Sequence, residues 1–441
     1  MIKTSTRQCT IEINSPIKDG SAMIQKPRGT IDILPGESGI WQYIENIARE
    51  TASRYGFREI RFPTFEATEL FSRGVGDTTD VVQKEMYTFT DREGRSLTLR
   101  PEGTASVTRS IIENGMCSDV MPMRLYYLIN CFRYEKPQAG RSREFYQFGA
   151  EMFGAASASA DADMIALADS VIRGIGIDSA ELHINSIGCP VCRAEYRKAL
   201  KAYFSLHTDE LCETCRGRLE TNPLRILDCK SPVCSALAAD APKTIDYLCP
   251  DCAAHFESLK RHLEALNISY TVDSHIVRGL DYYTRTVFEF ICDTIGAQST
   301  ICGGGRYDGL VESVGGPSLP GIGFAMGITR LILALKGLGR LPETAIKPAL
   351  YIAPMGENAS AAAHAIVKQL RDSGIYAESD IVGRSLKAQM KYADKIGAAY
   401  TLILGDSELE SGTAKLKNMK TSEQTEIGVA DIDSLRRMLG A

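Results

Sequence analysis

Between positions 38 and 55, apolar side chains recur at 40, 41, 44, 47, 48, 52 and 55, the spacing of one helical face, and Gly56 supplies a stop. REIRFP (58–63) then reads as a strand, as do LTLR (97–100), RLYYLINCFRYE (124–135) and REFYQFGAEMFG (143–154). The last two flank the polar loop KPQAGR and predict a long antiparallel hairpin. Residues 161–174 have a helical pattern. Beyond a cysteine-rich stretch, strands return at 270–277, at 286–292 and near 298–302, and an apolar helix is predicted over 324–336 with Gly337 as its cap. Residues 338–348 have linker character. From there to the end β and α alternate: ALYIAP, a helix after Asn358, a short strand near Ile375, a helix in SLKAQMKYADKIG, then YTLILG. That alternation predicts a separate small α/β domain over 347–441 with a largely parallel sheet. The plan is α+β: an antiparallel sheet flanked by helices over 25–338, a cysteine-rich insert at 189–255 within it, and the C-terminal module. Residues 1–24 read as a loose polar tail, and Met23 offers an alternative start.

Composition narrows this picture. A chain of 441 residues exceeds one compact core, so two or three domains are expected. Apolar residues make up 44% and charged residues 24%, as in ordinary globular proteins. Fifty basic side chains face 55 acidic ones, a net charge of −5, so any nucleic acid must be held by a local basic surface. No apolar run approaches the roughly 18 residues of a membrane span. The first twenty residues carry Lys3, Arg7, Lys18 and Asp19 without an apolar stretch, so no membrane association is expected and the cytoplasm is the default compartment.

Strand geometry then points to candidate chemistry. Residues two apart share a face, which sets Phe145, Gln147, Gly149 and Glu151 opposite the core-like Tyr146, Phe148, Ala150 and Met152. Gly149 leaves room between an amide and a carboxylate for a ligand. Cys131, Arg133 and Glu135 share a face of the preceding strand by the same rule. A solvated sheet face with paired charges fits this pattern equally well. GGGRYDGL (303–310) and PGIGFAMGITRLIL (320–333) combine glycines with an arginine, a pairing that suits polyphosphate at a helix N-terminus. Neither is a Walker loop or a Rossmann fingerprint, and taken alone each reads first as a tight structural turn.

Together the segments are specific. FRYE with basic residues in the loop that follows, and far downstream a GxGFxxGxxR helix, resemble motifs 2 and 3 of class II aminoacyl-tRNA synthetases. RFPTFE, with Pro63, resembles motif 1. RGLDYYTRTVFEF (278–290), with LRPEGTAS (99–106) and GGGRYDGL, is similar to the signatures of histidyl-tRNA synthetases, and the resemblance runs in order from residue 25 to 441.

That resemblance implies a class II antiparallel sheet, a C-terminal α/β anticodon-binding domain and a homodimer formed through motif 1. It implies ATP with Mg²⁺, L-histidine and tRNA(His) as reactants, joined in two steps through histidyl-adenylate. By motif position Arg133 is expected on the α-phosphate, Arg330 near the γ-phosphate, Glu135 near adenine, and Arg141 on phosphates or the tRNA acceptor end. Arg278 is expected between the amino acid carboxylate and the α-phosphate. Glu102, Thr104 and Gln147 should hold the α-amino group, and Glu151 and Tyr283 the imidazole, with Tyr282 beside them. A ligand read at both ring nitrogens is separated from its near analogues by the contacts they leave unpaired. A related regulatory subunit of an ATP phosphoribosyltransferase is the rival reading. The intact RGLDYY, Arg330 and complete C-terminal module favour the charging enzyme.

Residues 347–441 hold 12 basic and 12 acidic side chains, so that module is no general basic patch. Lys387, Lys391 and Lys395 do recur on one helix face, as a phosphate-facing stripe or as a solvated face. Of thirteen cysteines, eight fall between Cys189 and Cys252. Cys189-x2-Cys192 and Cys212-x2-Cys215 have the spacing of a four-thiolate structural zinc site, and Cys229-x4-Cys234 with Cys249-x2-Cys252 would form a second. Buried reduced thiols fit the same count, whereas cytosolic disulfides do not. A zinc-dependent nucleic-acid-binding protein without catalysis would account for the eight cysteines but not for the polar residues outside the insert.

Overall fold

The computed structural model describes residues 23–440, apart from 78, 228, 230, 277, 278 and 296–298. The expected tail therefore lies almost wholly outside the described residues, as does Arg278. The chain divides into two compact units, Met1–Glu343 and Thr344–Ala441.

The strands of the larger unit are, in chain order, β1 (Arg58–Glu59), β2 (Phe65–Ala67), β3 (Thr88–Thr90), β4 (Ser96–Leu99), β5 (Met123–Phe132), β6 (Glu144–Phe153), β7 (Glu181–Ser186), β8 (Tyr270–Val272), β9 (Thr284–Ile291), β10 (Thr300–Arg306) and β11 (Gly321–Gly327). Eight form one sheet in the order β1-β5-β6-β11-β10-β9-β7-β8, and β2, β4 and β3 form a small second sheet. The large sheet is antiparallel at its centre, and only the edge pairs β1–β5 and β7–β8 are parallel.

The hairpin β5–β6 has the expected face pattern. Phe148, Ala150 and Met152 join the main core with Trp41, Ile44 and Ala48 of the helix Pro35–Arg54 and the apolar face of the helix Ala158–Gly174. The opposite face carries Gln147 and Glu151. Gly149 stands between them because the Tyr127 ring lies against it: a Cβ there would meet Tyr127 Cζ at 2.2 Å.

Several expected boundaries shift. REIRFP contributes only two residues of strand. β5 ends at Phe132, not 135: the Arg133 N–H still donates to Arg143 O, but the Glu135 N–H turns back onto Arg133 O. Glu135 thus leaves the ladder. The apolar stretch read as a helix over 324–336 is the strand β11 followed by the helix Ile328–Gly337. GGGRYDGL is a turn only at Asp308–Gly309. Its first three glycines run through β10 in mid-sheet, where a Cβ on Gly304 would meet Gly323 O at 2.3 Å. The strand expected near 298–302 thus runs on to Arg306, through glycines that carry no side chains to alternate.

The smaller unit contains β12 (Leu350–Pro354), β13 (Ala377–Ser379), β14 (Tyr400–Leu404), β15 (Thr413–Asn418) and β16 (Gln424–Gly428), in the order β13-β12-β14-β15-β16. β12 pairs parallel with β13 and β14, but β15 and β16 are antiparallel, so half the pairings depart from the expected parallel sheet. The core lies between this sheet and the helix Glu357–Asp372, whose Ala363, Ile366, Val367 and Leu370 are buried. Among the described residues no helix is long and apolar enough to cross a membrane.

Candidate functional site

The exposed ends of β5 and β6, the glycine strands β10 and β11, and the segment 279–283 enclose a cleft of about 370 Å³. Nine of the expected residues line it: Glu102, Thr104, Arg133, Glu135, Arg141, Gln147, Tyr282, Tyr283 and Arg330.

Three arginines gather in the cleft. Arg133 donates through Nε to Pro101 O at 2.9 Å, and its guanidinium lies over the Phe145 ring. Arg330 leaves the first turn of its helix to donate through Nε to Gly140 O at 3.0 Å and through Nη1 to Thr300 O at 2.7 Å. These backbone anchors aim the side chain. Burial, and next the positive charge of Arg141, hold Arg330 below the usual arginine value. Arg141 pairs with Glu135 at 3.2 Å, while Arg133 stands 3.9 Å from the same carboxylate. Three guanidiniums crowded in one cleft favour a multiply charged anion between them.

The same cleft carries groups that suit a small polar ligand. Glu102 accepts from the backbone N–H groups of Thr104 (2.8 Å) and Ala105 (2.7 Å), capping the helix Thr104–Glu113. Burial still raises its pKa, so a neighbouring ammonium would favour its ionised form. Gln147 accepts from Cys131 Sγ at 3.4 Å, and burial pushes that thiol up to about 12.

Glu151 does not line the cleft. It is fully buried beneath it, where Oε1 accepts from Thr104 Oγ1 (2.7 Å) and Tyr127 OH (3.0 Å), and Oε2 accepts from Tyr307 OH. Burial raises its pKa to about 8. A carboxylate offers about four acceptor sites, so three hydroxyls leave about one. The opening beside it depends on Gly323, where a Cβ would lie 1.7 Å from Oε2. Tyr282 packs between Tyr283 and Tyr307, with ring centroids 4.6 and 5.7 Å away. Sequence reasoning missed Tyr127, Tyr307 and Gly323. Tyr127 could have been found by extending the strand-face argument to β5, where Tyr127 sits opposite Gly149.

The cysteines group differently from the expected pairs. Cys189 and Cys192 meet Cys249 and Cys252, while Cys212 and Cys215 meet Cys229 and Cys234. The set Cys189–Cys192–Cys212–Cys215 does not assemble: the first knuckle closes with the last and the two middle pairs close with each other, whereas spacing along the chain reports only which cysteines share a knuckle. Each tetrad could hold a metal ion.

A glycine-strand sheet with three converging arginines and a C-terminal mixed α/β unit is the architecture of a class II aminoacyl-tRNA synthetase. The family model for histidyl-tRNA synthetase matches residues 29–201 and 234–331, and that for the anticodon binding domain matches 349–435. The histidine–tRNA ligase of Caldicellulosiruptor bescii is 55% identical over 93% of this chain and 97% of its own. That of Acetivibrio thermocellus is 55% identical over 94% of this chain and all of its own. The crystal structure of apo histidyl-tRNA synthetase from S. aureus superposes with a TM-score of 0.80 at 41% identity, covering 95% of this chain and 100% of the other. The chain belongs to the histidyl-tRNA synthetase family.

Proposed function

We propose that the protein is a histidine–tRNA ligase, which activates L-histidine with ATP and transfers it to tRNA(His). The observation that carries this reading, beyond family membership, is one cleft lined by Arg133, Arg141 and Arg330 together with Glu102, Thr104 and Gln147. The carboxylate of histidine attacks the α-phosphorus of ATP. The bond to pyrophosphate breaks, and histidyl-adenylate remains. The terminal ribose hydroxyl of the tRNA then attacks the activated carbonyl and releases AMP. Such a reaction needs positioning and charge neutralisation more than covalent catalysis.

In this reading Arg133 holds the α-phosphate and Arg330 the γ-phosphate, with Glu135 toward the adenine and Arg141 toward phosphate or the tRNA end. Glu102, Thr104 and Gln147 hold the ammonium of histidine. Tyr283 and the remaining acceptor site of Glu151 read the two imidazole nitrogens, with Tyr282 beside them. Arg278, outside the described residues, completes the charge stabilisation between carboxylate and α-phosphate. Mg²⁺ would accompany ATP and supply charge neutralisation at the phosphates, and Glu289, a carboxylate on the cleft wall, would be a ligand for it. The insert holds structural zinc, the C-terminal unit takes the anticodon, and the chain works as a homodimer. A reaction on tRNA and ATP assigns it to the cytoplasm.

Histidine-dependent ATP–pyrophosphate exchange, followed by charging of tRNA(His), tests the reading. Exchange that is equally fast with other amino acids, or absent, would overturn it. Arg278→Ala is expected to keep measurable histidine binding while losing most exchange; a rate near wild type removes Arg278 from the first step.

A further inference from the structure

The insert carries chemistry that histidine activation does not use. Three of its helices begin at cysteines. Cys189, Cys212 and Cys249 are the N-cap residues of Pro190–Ser205, Glu213–Thr221 and Pro250–Ala265, and Cys192, Cys215 and Cys252 sit in the first turns. Cys234 lies in the first turn of Pro232–Ala239, with Cys229 just before it. In each tetrad the four Sγ atoms lie within 4.8 Å of one another. Individual separations are 3.6 Å (Cys189–Cys192), 3.9 Å (Cys189–Cys249) and 3.9 Å (Cys212–Cys229). Four thiolates placed about 2.3 Å from a zinc ion stand about 3.8 Å apart. A disulfide would need about 2.05 Å.

The surroundings are those of metal knuckles. The Cys249 N–H donates to Cys192 Sγ at 3.1 Å, the Cys212 N–H to Cys234 Sγ at 3.3 Å, and the Ser231 N–H to Cys229 Sγ at 3.5 Å. Such donors suit negatively charged, metal-bound sulfur. Gly188 turns the first knuckle at φ +68, where a Cβ would meet Cys192 Cβ at 2.5 Å. The apolar cluster of the insert is small, and Cys215 and Cys234 are part of it, so metal cross-links would substitute for a larger core.

The chain between two thiols of the second tetrad reaches the cleft wall. Between Cys215 and Cys229 the chain passes through the short helix Pro223–Ile226, and Arg225 there donates to Gly279 O at 3.3 Å and to Asp281 Oδ1 at 3.0 Å. Arg218, from the helix Glu213–Thr221, holds the Arg225 carbonyl at 3.1 Å. On its other side the Asp281 N–H donates to Val75 O at 3.1 Å, and Gly76, at φ +104, leaves no room for a Cβ beside the Asp281 carboxylate. The turn between Arg278 and the Tyr282–Tyr283 pair is thus clamped between the insert and residues 75–76. The stretch 202–233, which supplies Arg225 and three of the four thiols, is the part of this unit lying between the two segments that the family model matches.

We propose that the insert binds two structural zinc ions, one at Cys189, Cys192, Cys249 and Cys252 and one at Cys212, Cys215, Cys229 and Cys234, and that the second ion, through Arg225, positions the 279–281 turn for histidine activation. The coupling rests on the function proposed above; the metal sites do not.

The test uses the full chain, purified without a histidine tag, with zinc counted by elemental mass spectrometry and histidine-dependent exchange measured on the same samples. Two zinc ions per chain are expected. Cys189→Ser with Cys249→Ser should remove one ion, and Cys189→Ser with Cys212→Ser should remove both. The reverse pattern would restore the pairing by chain order and overturn the proposed one. Arg225→Ala should keep both ions and raise the KM for histidine about tenfold, the scale of a lost supporting contact, with partial recovery in Arg225→Lys. Less than one zinc ion per chain overturns the metal sites. Two ions with wild-type kinetics in Arg225→Ala overturn the coupling. A wild-type chain with two ions and no histidine-dependent exchange overturns the proposed function, and the coupling with it, while upholding the metal sites.

Discussion

Glu151 is a carboxyl group whose surroundings set its charge. Burial pushes it from an ordinary 4.5 to about 8, so the folded chain keeps a proton that the unfolded chain releases between those values. The stability from that proton is complete below pH 4.5 and is lost as pH rises through about 8. The thermal midpoint of the wild type should therefore fall relative to Glu151→Gln across that window. Parallel midpoints would show a carboxylate already ionised at neutral pH. Gly323 tests the same geometry from the other side. With a Cβ 1.7 Å from Glu151 Oε2, Gly323→Ala must displace the carboxylate or the strand. An overpacking cost on the order of 1–3 kcal/mol is expected, together with a higher KM for histidine. Unchanged histidine affinity would separate Glu151 from the ligand. The pairing of Gln147 with Glu151 was legible from the period of a strand. The three hydroxyls around Glu151 were not, because Thr104, Tyr127 and Tyr307 come from parts of the chain with no common period.

Among the elements, β10 shows most clearly what pattern cannot supply. Its Arg306 is fully buried and pairs with the equally buried Asp161 of the helix Ala158–Gly174, to which His255 of Pro250–Ala265 adds a contact at 2.7 Å. The sequence presents Arg306 as one more arginine after glycines, a candidate for phosphate. The structure turns it away from the cleft into an ion network that joins a central strand to two helices. Asp161→Ala leaves the buried guanidinium with Asp308, at 3.0 Å, as its remaining carboxylate partner among the described residues and should cost about 3–5 kcal/mol in chemical denaturation; a loss below about 1 kcal/mol would show that Asp308 or water takes over the pairing. On the helix Leu386–Lys395, the lysines 387, 391 and 395 are all exposed, as the four-residue repeat predicts. If they meet tRNA phosphates, Lys391→Ala should lower the slope of log affinity against log salt by about one. An unchanged slope would mark a solvated face.

Across the molecule, the two units have separate cores, the smaller one closed by Leu350, Ile352, Val367 and Leu402 among others. Removal of residues 344–441 is expected to leave histidine-dependent exchange within about threefold of wild type, since tolerance of a deletion follows from which contacts it removes. Charging of tRNA(His) should fall at least tenfold through loss of tRNA affinity. Equal loss of both activities would mean that the larger unit needs the smaller one to reach its active form. The amphipathic helix at the start, the hairpin β5–β6, the change of style after residue 338 and the ordered synthetase signatures were determined by the sequence alone. These are local properties, carried by side-chain period or by residue identity at fixed spacing. Three features were decided only by the tertiary structure: the glycine strand at mid-sheet, the enclosure of Glu151, and the joining of the first cysteine knuckle to the last. Each depends on contacts between segments far apart in the chain, chosen by how helices and strands pack, and spacing along a chain carries no record of that choice.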